Sequence, residues 1–205
     1  MVLEKNNYNF QTLNSYNENI QADIEGTPKE VTGEVKVWLD SCLSRLPTEA
    51  RILEIGCGFG RDAEYIESLG YKVERTDAAE GFVAYMKGQN TDVRVLNILT
   101  DEIPKVYDMI FADAVFLHFT IDEFDVAVSK VYSALNECGL LGLTLKKGSG
   151  EEWTDAKLDA PRFFHYWEKE EITQKLTEIG FNEVTISNQD SKWYHIIAKN
   201  NLKKV

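Results

Sequence analysis

The chain has 205 residues, a formal net charge of −12, and ordinary apolar and charged fractions of 43% and 27%. These totals fit one soluble globular domain, and the excess of carboxylates without a dense basic run disfavours a nucleic-acid partner. Three widely spaced cysteines and no C-x-x-C pair disfavour a disulfide framework or a zinc site, so no metal is predicted.

No apolar run approaches the roughly 20 residues that a membrane helix needs, and the first residues, MVLEKNNYNFQ, have no apolar signal core. We therefore predict a cytoplasmic protein without a membrane partner. Residues 1–30 are polar and Asn-rich and predict a loosely packed helical arm that carries Tyr8 and Tyr16. The predicted domain covers residues 31–205 and begins with an amphipathic helix that Pro47 ends.

Strands and helices alternate after this helix. Strands are predicted at 51–55, 72–76, 93–96, 107–112 and 140–145, with helices at 61–69, 79–87 and 121–135. Such alternation is typical of βαβ units whose parallel sheet is covered on both faces. A loop at 148–162, a helix ending at residue 179, and strands at 181–187 and 193–199 follow. The predicted fold is α/β, with a seven-stranded, mostly parallel sheet that an antiparallel C-terminal hairpin closes at one edge.

The stretch 52-ILEIGCGFGRDAEY-65 predicts a strand, a glycine turn and a helix. Ligands of open α/β sheets bind beyond the carboxyl ends of the strands, and glycines let them contact bare backbone. The turn differs from the dinucleotide fingerprint because Arg61 stands where the third glycine belongs, and it differs from a P-loop because no Gly-Lys-Ser/Thr follows. Asp77 ends the second strand, where a carboxylate can accept hydrogen bonds from ribose hydroxyls.

The segment 54-EIGCGFG-60 followed by 73-VERTDAAEGFV-83 resembles the signature of class I S-adenosylmethionine-dependent methyltransferases. With 111-FADAVFLHF-119, the chain is similar to the small bacterial branch that includes tellurite-resistance-type and other small-molecule methyltransferases. The resemblance implies a Rossmann-like methyltransferase sandwich, S-adenosylmethionine as cofactor, S-adenosylhomocysteine as product and a small-molecule acceptor.

The resemblance also implies a set of cofactor-binding residues. Asp77 would hold the ribose and Ala78 would lie along the adenine. Asn97 and Ile98 stand where the family often has an acid for the adenine amino group, and an amide oxygen can accept that bond as well. The predicted turn residues are Glu54, Gly56, Cys57, Gly58, Gly60 and Arg61.

Two candidate catalytic residues follow the fourth strand, at the edge of the sheet that carries the glycine turn. His118 could act as a base or orient the acceptor, and the structural alternative is a half-buried histidine bonded to backbone. Asp113 could steady the methionine portion or act on the substrate. Its structural alternative is a strand-end acid that caps the next helix.

A second group of candidates lies in residues 147–167, a long segment predicted to form a lid. Arg162 could pair with an anionic acceptor, and aromatic neighbours such as His165 and Tyr166 could wall an apolar pocket. Alternatively, these side chains anchor the segment on the sheet. Tyr8 and Tyr16 of the arm could fold over the cofactor or simply pack against the domain.

The function predicted from these residues is in-line transfer of the sulfonium methyl group to a small-molecule acceptor. One alternative is a module that binds S-adenosylmethionine without catalysis. The other is a nucleic-acid (tRNA) methyltransferase, although the chain has no Asn/Asp-Pro-Pro-Tyr motif after the fourth strand. The sequence leaves the acceptor, the methylated atom and the oligomeric state open.

Overall fold

A computed structural model describes residues 8–103, 106–187, 189–190 and 192–200. These residues form the helices α1 (Tyr8–Glu18), α2 (Ile20–Gly26), α3 (Gly33–Leu43), α4 (Arg61–Ser68), α5 (Glu80–Gly88), α6 (Ile121–Ala134) and α7 (Lys169–Ile179). The strands are β1 (Arg51–Ile55), β2 (Lys72–Asp77), β3 (Arg94–Val95), β4 (Tyr107–Ala112), β5 (Leu135–Lys146), β6 (Glu151–Thr154), β7 (Arg162–His165), β8 (Phe181–Ser187) and β9 (Trp193–Asn200).

The main sheet has seven strands in the order β3-β2-β1-β4-β5-β9-β8. The first five strands pair in parallel, while β9 lies antiparallel between β5 and β8. The predicted seven-stranded, mostly parallel sheet with an antiparallel C-terminal strand is therefore confirmed. This order places the carboxyl ends of β1, β2 and β4 side by side, which is the edge where ligands of such sheets bind.

The central strands are buried because helices cover both faces of the sheet. On one face, Phe124 of α6 packs with Trp167 beside Leu143 of β5. On the other face, Trp38 of α3 packs against Phe111 and donates its indole N–H to the carbonyl oxygen of Ile196 at 2.9 Å. Both faces are therefore fully engaged in the core, and only the strand ends remain to form a site.

The prediction that residues 148–162 form a loop is wrong. Its ends belong to β6 and β7, which pair as an antiparallel ribbon with Trp153 opposite Phe163. β6 could not be predicted from an apolar pattern, because a two-stranded ribbon leaves much of one strand in contact with solvent. Glu151, Glu152 and Trp153 are all exposed. The glycines around it gave the stronger signal, which is that of a loop.

The N-terminal arm differs from the prediction in its packing. Its described part is helical, but α1 buries Thr12 and Ser15 against the rest of the protein. The Ser15 hydroxyl donates to the carbonyl oxygen of Pro161 at 2.6 Å, and the Phe163 N–H donates to Thr12 Oγ1 at 3.1 Å. The expectation of a loosely packed arm is wrong for α1, because its polar side chains bond the β6–β7 segment.

Other differences concern element ends. β5 begins five residues earlier than predicted because Leu135 pairs with Tyr107, and β3 has only two residues. Residues 1–7 of the predicted arm and positions 188 and 191 of the turn before β9 lie outside the described residues. Within the described ranges, no helix combines the length and the apolar character needed to cross a bilayer.

The start of α6 provides a test of the local folding signals. Thr120 and Glu123 form a capping box, in which each side chain binds the backbone N–H of the other residue. Thr120→Ala removes one of these bonds, and we expect a loss of about 1 kcal/mol in the free energy of unfolding, measured in urea. Thr173→Ala, on the exposed face of α7, is the control and should change it by less than about 0.5 kcal/mol. Equal effects would contradict the assignment of the cap.

Candidate active site

The glycine turn after β1 uses its three glycines for two different purposes. All three have positive φ, with values of 74° at Gly56, 53° at Gly58 and 91° at Gly60. A Cβ at Gly56 would lie 2.4 Å from Val115, and one at Gly60 would lie 2.4 Å from Met86. A Cβ at Gly58 would meet nothing within 4 Å. Gly56 and Gly60 thus permit close packing, while Gly58 leaves its backbone facing open space.

Asp77 holds the turn from the end of β2. Its carboxylate accepts the N–H of Gly58 and the N–H of Ala79, each at 2.8 Å. The carbonyl oxygen of Thr76 accepts the N–H groups of Gly56 and Cys57 at 2.8 and 2.9 Å. Burial raises the pKa of Asp77 to about 6, and the backbone N–H donors oppose that rise. The turn is therefore bonded to β2 through both backbone and side chain.

A cavity of about 780 Å³ opens on this turn, a volume in the usual range for small-molecule sites. Its wall includes the strand ends of the main sheet, the arm and the β6–β7 ribbon. The predicted cofactor residues that line it are Gly56, Cys57, Gly58, Arg61, Asp77, Ala78, Asn97 and Ile98. Glu54 and Gly60, also predicted, are described residues that do not line the cavity. The Asn97 side chain already donates to Asn9 and accepts the N–H of Leu99.

Glu54 lies beneath the turn as a buried carboxyl group. Its Oε2 has no hydrogen-bond partner among the described residues. Burial and the neighbouring Asp62 raise the pKa of Glu54 well above its usual value, and Arg75 partly opposes them. Burial also raises the pKa of Asp62 to about 7. These acids hold protons more tightly than exposed carboxyl groups, so they support the turn without placing full charge under it.

Asp113 belongs to an ion-paired cluster on the cavity wall. Its Oδ2 accepts Arg61 Nη2 at 2.8 Å, and its Oδ1 accepts the Thr144 hydroxyl at 2.5 Å. Arg61 also donates to Asp62 at 2.8 Å. The alternative that Asp113 caps the next helix is wrong, because Thr120 caps α6. Asp113 joins the glycine turn to β5 instead.

His118 fits both alternatives given in the sequence analysis: it lines the cavity, as a functional residue would, and it is also bonded to backbone. Its Nδ1 lies 2.6 Å from the carbonyl oxygen of Phe163, which can only accept, so Nδ1 carries the proton. Nε2 then accepts the Tyr16 hydroxyl at 2.9 Å. Burial lowers the pKa of His118 to about 3 and raises that of Tyr16 to about 12. Both groups are therefore neutral near pH 7.

The predicted lid residues separate into two groups. Arg162 and Tyr166 line the cavity, and Arg162 Nη1 donates to the Tyr16 hydroxyl at 3.1 Å. The prediction that His165 lines the pocket is wrong, because His165 is not part of the cavity wall. The centre of its ring lies 4.5 Å from that of Trp167, and its Nδ1 lies 3.2 Å from Glu151 Oε1. Adjacent residues of a strand point to opposite faces, so His165 anchors the ribbon.

Several cavity residues escaped the sequence reasoning. They are Thr144 and Lys146 of β5, Phe164 of β7, and Trp193 and His195 of β9. Lys146 could have been found, because it ends β5 at the same edge of the sheet as the glycine turn. The residues of β9 could not, since that strand runs antiparallel and begins where β5 ends.

The seven-stranded sheet, with a glycine turn and an acid at one edge, is the arrangement that the resemblance to class I S-adenosylmethionine-dependent methyltransferases predicts. S-adenosylmethionine is the cofactor of the class. The residues present fit it: Gly58 leaves bare backbone on the cavity, and Asp77 presents a buried carboxylate at the end of β2. No group of three or more His, Cys, Asp or Glu within the described ranges is arranged to hold a metal ion.

Comparisons with known proteins agree with this class. Residues 52–139, from β1 into β5, match the family model described as "Methyltransferase domain". A probable S-adenosyl-L-methionine-dependent methyltransferase, TehB of Haemophilus influenzae (strain 10810), is 20% identical over 149 residues. That alignment covers 66% of this chain but only 52% of TehB.

Solved structures share the fold at low sequence identity. The DhpI-SAM-HEP complex superposes with a TM-score of 0.73 at 14% identity and covers 95% of this chain and 98% of its own. A SAM-dependent methyltransferase from Methanosarcina mazei has a TM-score of 0.66 at 17% identity, with 78% and 97% covered. The fold therefore extends beyond the matched domain, into the arm and the C-terminal strands.

The neutral state of His118 is open to direct measurement. We expect the ¹⁵N resonances of the labelled imidazole to show an Nδ1–H tautomer that does not titrate between pH 5 and 8. Because its folded pKa of about 3 lies below the ordinary 6.5, the unfolded chain binds this proton first. His118 therefore lowers the free energy of unfolding as pH falls from 6.5 towards 3. A titration near pH 6.5 in the folded protein would contradict this assignment.

Proposed function

We propose that this chain is an S-adenosylmethionine-dependent methyltransferase that acts on a small-molecule acceptor. One observation carries the proposal: the open backbone of Gly58, bonded to the carboxylate of Asp77, faces a cavity of about 780 Å³. That volume is in the range of small-molecule sites and would accommodate a cofactor with a small second molecule. The net charge of −12 also argues against a nucleic acid.

The cofactor would be held at the carboxyl ends of β1 to β3. Gly58 would contact it through backbone, and Asp77 would accept hydrogen bonds from the ribose. Ala78, Asn97 and Ile98 would contact the adenine. When bound, S-adenosylmethionine supplies a methyl group on a sulfonium, and a lone pair of the acceptor displaces the sulfur, which keeps the electrons of the broken bond. The protein therefore needs to position the acceptor and exclude water rather than supply a nucleophile.

Tyr16 is the proposed positioning group on the acceptor side. Its hydroxyl is held by His118 Nε2 and Arg162 Nη1, so its orientation is set before any ligand enters. We propose that His118 acts through Tyr16 and not as a general base, because its pKa of about 3 makes the imidazole a weak proton acceptor. Asp113 would act in the same indirect way, by fixing Arg61 at the glycine turn.

Binding of the cofactor tests the first part of the proposal. Asp77→Ala removes a charged acceptor, and we expect the dissociation constant of S-adenosylmethionine to rise by about 10- to 150-fold in calorimetry. Asp108→Ala is the matched control: Asp108 also accepts a backbone N–H, from Arg51, but it lies near the start of β4. The control should bind within about 2-fold of wild type. Unchanged affinity in Asp77→Ala would refute the ribose assignment.

Turnover tests the second part. Incubation with acids, amines, thiols and nucleic acids should release S-adenosylhomocysteine only with a small molecule. With that acceptor, Tyr16→Phe should lower the rate at saturating substrate by about 10-fold while cofactor affinity stays unchanged, since one hydrogen bond to the acceptor side is lost. Tyr85→Phe, on the partly exposed surface of α5, is the control and should keep the wild-type rate.

Two outcomes of the same assay would support the other functions. Tight binding of S-adenosylmethionine without release of product from any acceptor favours a binding module. Release of product only with tRNA would favour a nucleic-acid methyltransferase and overturn the small-molecule proposal.

A further inference from the structure

Two cationic side chains on the cavity wall share one aromatic ring. Lys146 Nζ lies 4.2 Å from the centre of the Phe164 ring, and Arg162 Cζ lies 5.2 Å from the same centre. The Lys146 ammonium also approaches Tyr166 and Trp193, each at 5.8 Å. These positive groups come from β5 and β7, so the folding of the β6–β7 ribbon onto the main sheet brings them together.

Neither cation has an ion-pair partner among the residues that the structure describes. Arg162, which is 5% exposed, bonds the Tyr16 hydroxyl and the carbonyl oxygen of Ala156, and its Nε has no partner there. For the Lys146 ammonium, the contacts found among the described residues are those with the aromatic rings. Most arginines buried to this degree pair with a carboxylate, because an uncompensated charge is costly to remove from water.

The two acids on the same stretch of wall do not neutralise these cations. Glu152 is exposed and accepts the Tyr166 hydroxyl, and it lies beyond ion-pair distance of Lys146. Asp190 Oδ1 accepts the N–H groups of Lys192 and Trp193 at 2.6 and 3.0 Å. Neither acid forms an ion pair with Lys146 or Arg162, so this stretch of the wall keeps two positive groups without a bound counter-charge, in a chain whose net charge is −12.

Burial, followed by the charge of Arg162, lowers the pKa of Lys146; Glu152 opposes this shift and Lys192 adds to it. The two cations thus destabilise each other when nothing lies between them. An anion bound beside both would remove that cost and form charge-assisted hydrogen bonds with the ammonium and the guanidinium. Arrangements of this kind, unfavourable in the free protein, are typical of ligand sites.

We propose that the methyl acceptor is an oxyanion, either a carboxylate or a phosphoryl compound, whose negative group is bound between Lys146 and Arg162. This inference rests on the proposed function and specifies the acceptor's charge. Since Arg162 also bonds Tyr16, binding of the anion places the acceptor next to the Tyr16 hydroxyl. The protein would recognise its substrate by this negatively charged group.

The test is calorimetry on the full chain with inorganic phosphate, benzoate and benzamide, each with and without S-adenosylhomocysteine. Phosphate and benzoate represent the two oxyanion classes, and benzamide is a neutral molecule of the same shape as benzoate. We expect at least one anion to bind and benzamide to bind at least about 10-fold more weakly. Lys146→Met, which keeps length and contact with the rings, should weaken the anion at least about 10-fold.

Lys147→Met is the matched control, because its side chain lies beside Tyr194 and does not line the cavity. It should bind the anion within about 2-fold of wild type. Lys146→Met should also melt no lower than wild type without ligand, since its ammonium forms no ion pair among the described residues. Arg162→Lys, which retains charge, should bind better than Arg162→Met.

The outcomes separate this inference from the proposed function. Equal binding by Lys146→Met and Lys147→Met, or failure of both anions to bind wild type, overturns the oxyanion site even if S-adenosylhomocysteine binds. Anion binding that depends on Lys146, in a protein that ignores S-adenosylhomocysteine, supports the site and overturns the methyltransferase proposal.

Discussion

The bond between Asp77 and the glycine turn is the interaction on which the site depends. A buried carboxylate needs donors, and the N–H groups of Gly58 and Ala79 supply them at 2.8 Å. The same bonds hold the turn open towards the cavity and keep the carboxylate at the end of β2. Turn and acid are therefore bonded to each other at the edge of the sheet where we propose that the cofactor binds.

The acceptor side of the cavity has a different origin. The matched domain, residues 52–139, contains the glycine turn, Asp77, Asp113 and His118, but it ends within β5. Tyr16 comes from the arm, Lys146 from the end of β5 beyond residue 139, and Arg162 from β7. In the proposed function, the residues that would bind the cofactor therefore lie in the matched part of the chain, while Tyr16, Lys146 and Arg162 on the acceptor side lie outside it. Such a division would allow one fold to serve acceptors of different chemistry.

Polar contacts join the arm to the β6–β7 segment, and both of these parts of the chain line the cavity. The arm bonds the β6–β7 segment through Ser15, Thr12 and Tyr16, and Lys157 pairs with Asp23 at 2.5 Å. Ring contacts accompany these bonds, because Tyr8 of the arm packs against Phe163 and Trp153 with ring centres 4.8 and 5.3 Å away.

The order of strands and helices, the glycine turn and the acid after β2 could all be determined from sequence, because periodicity and turn chemistry are local properties. The ribbon β6–β7 could not be predicted, because β6 is short, its first three residues are exposed, and it therefore lacks the apolar pattern of a buried strand. Likewise, only the tertiary structure decided that His165 anchors the ribbon while Lys146 meets Arg162 over Phe164. Contacts between residues far apart in sequence depend on how the elements pack, and packing leaves no pattern in any single segment.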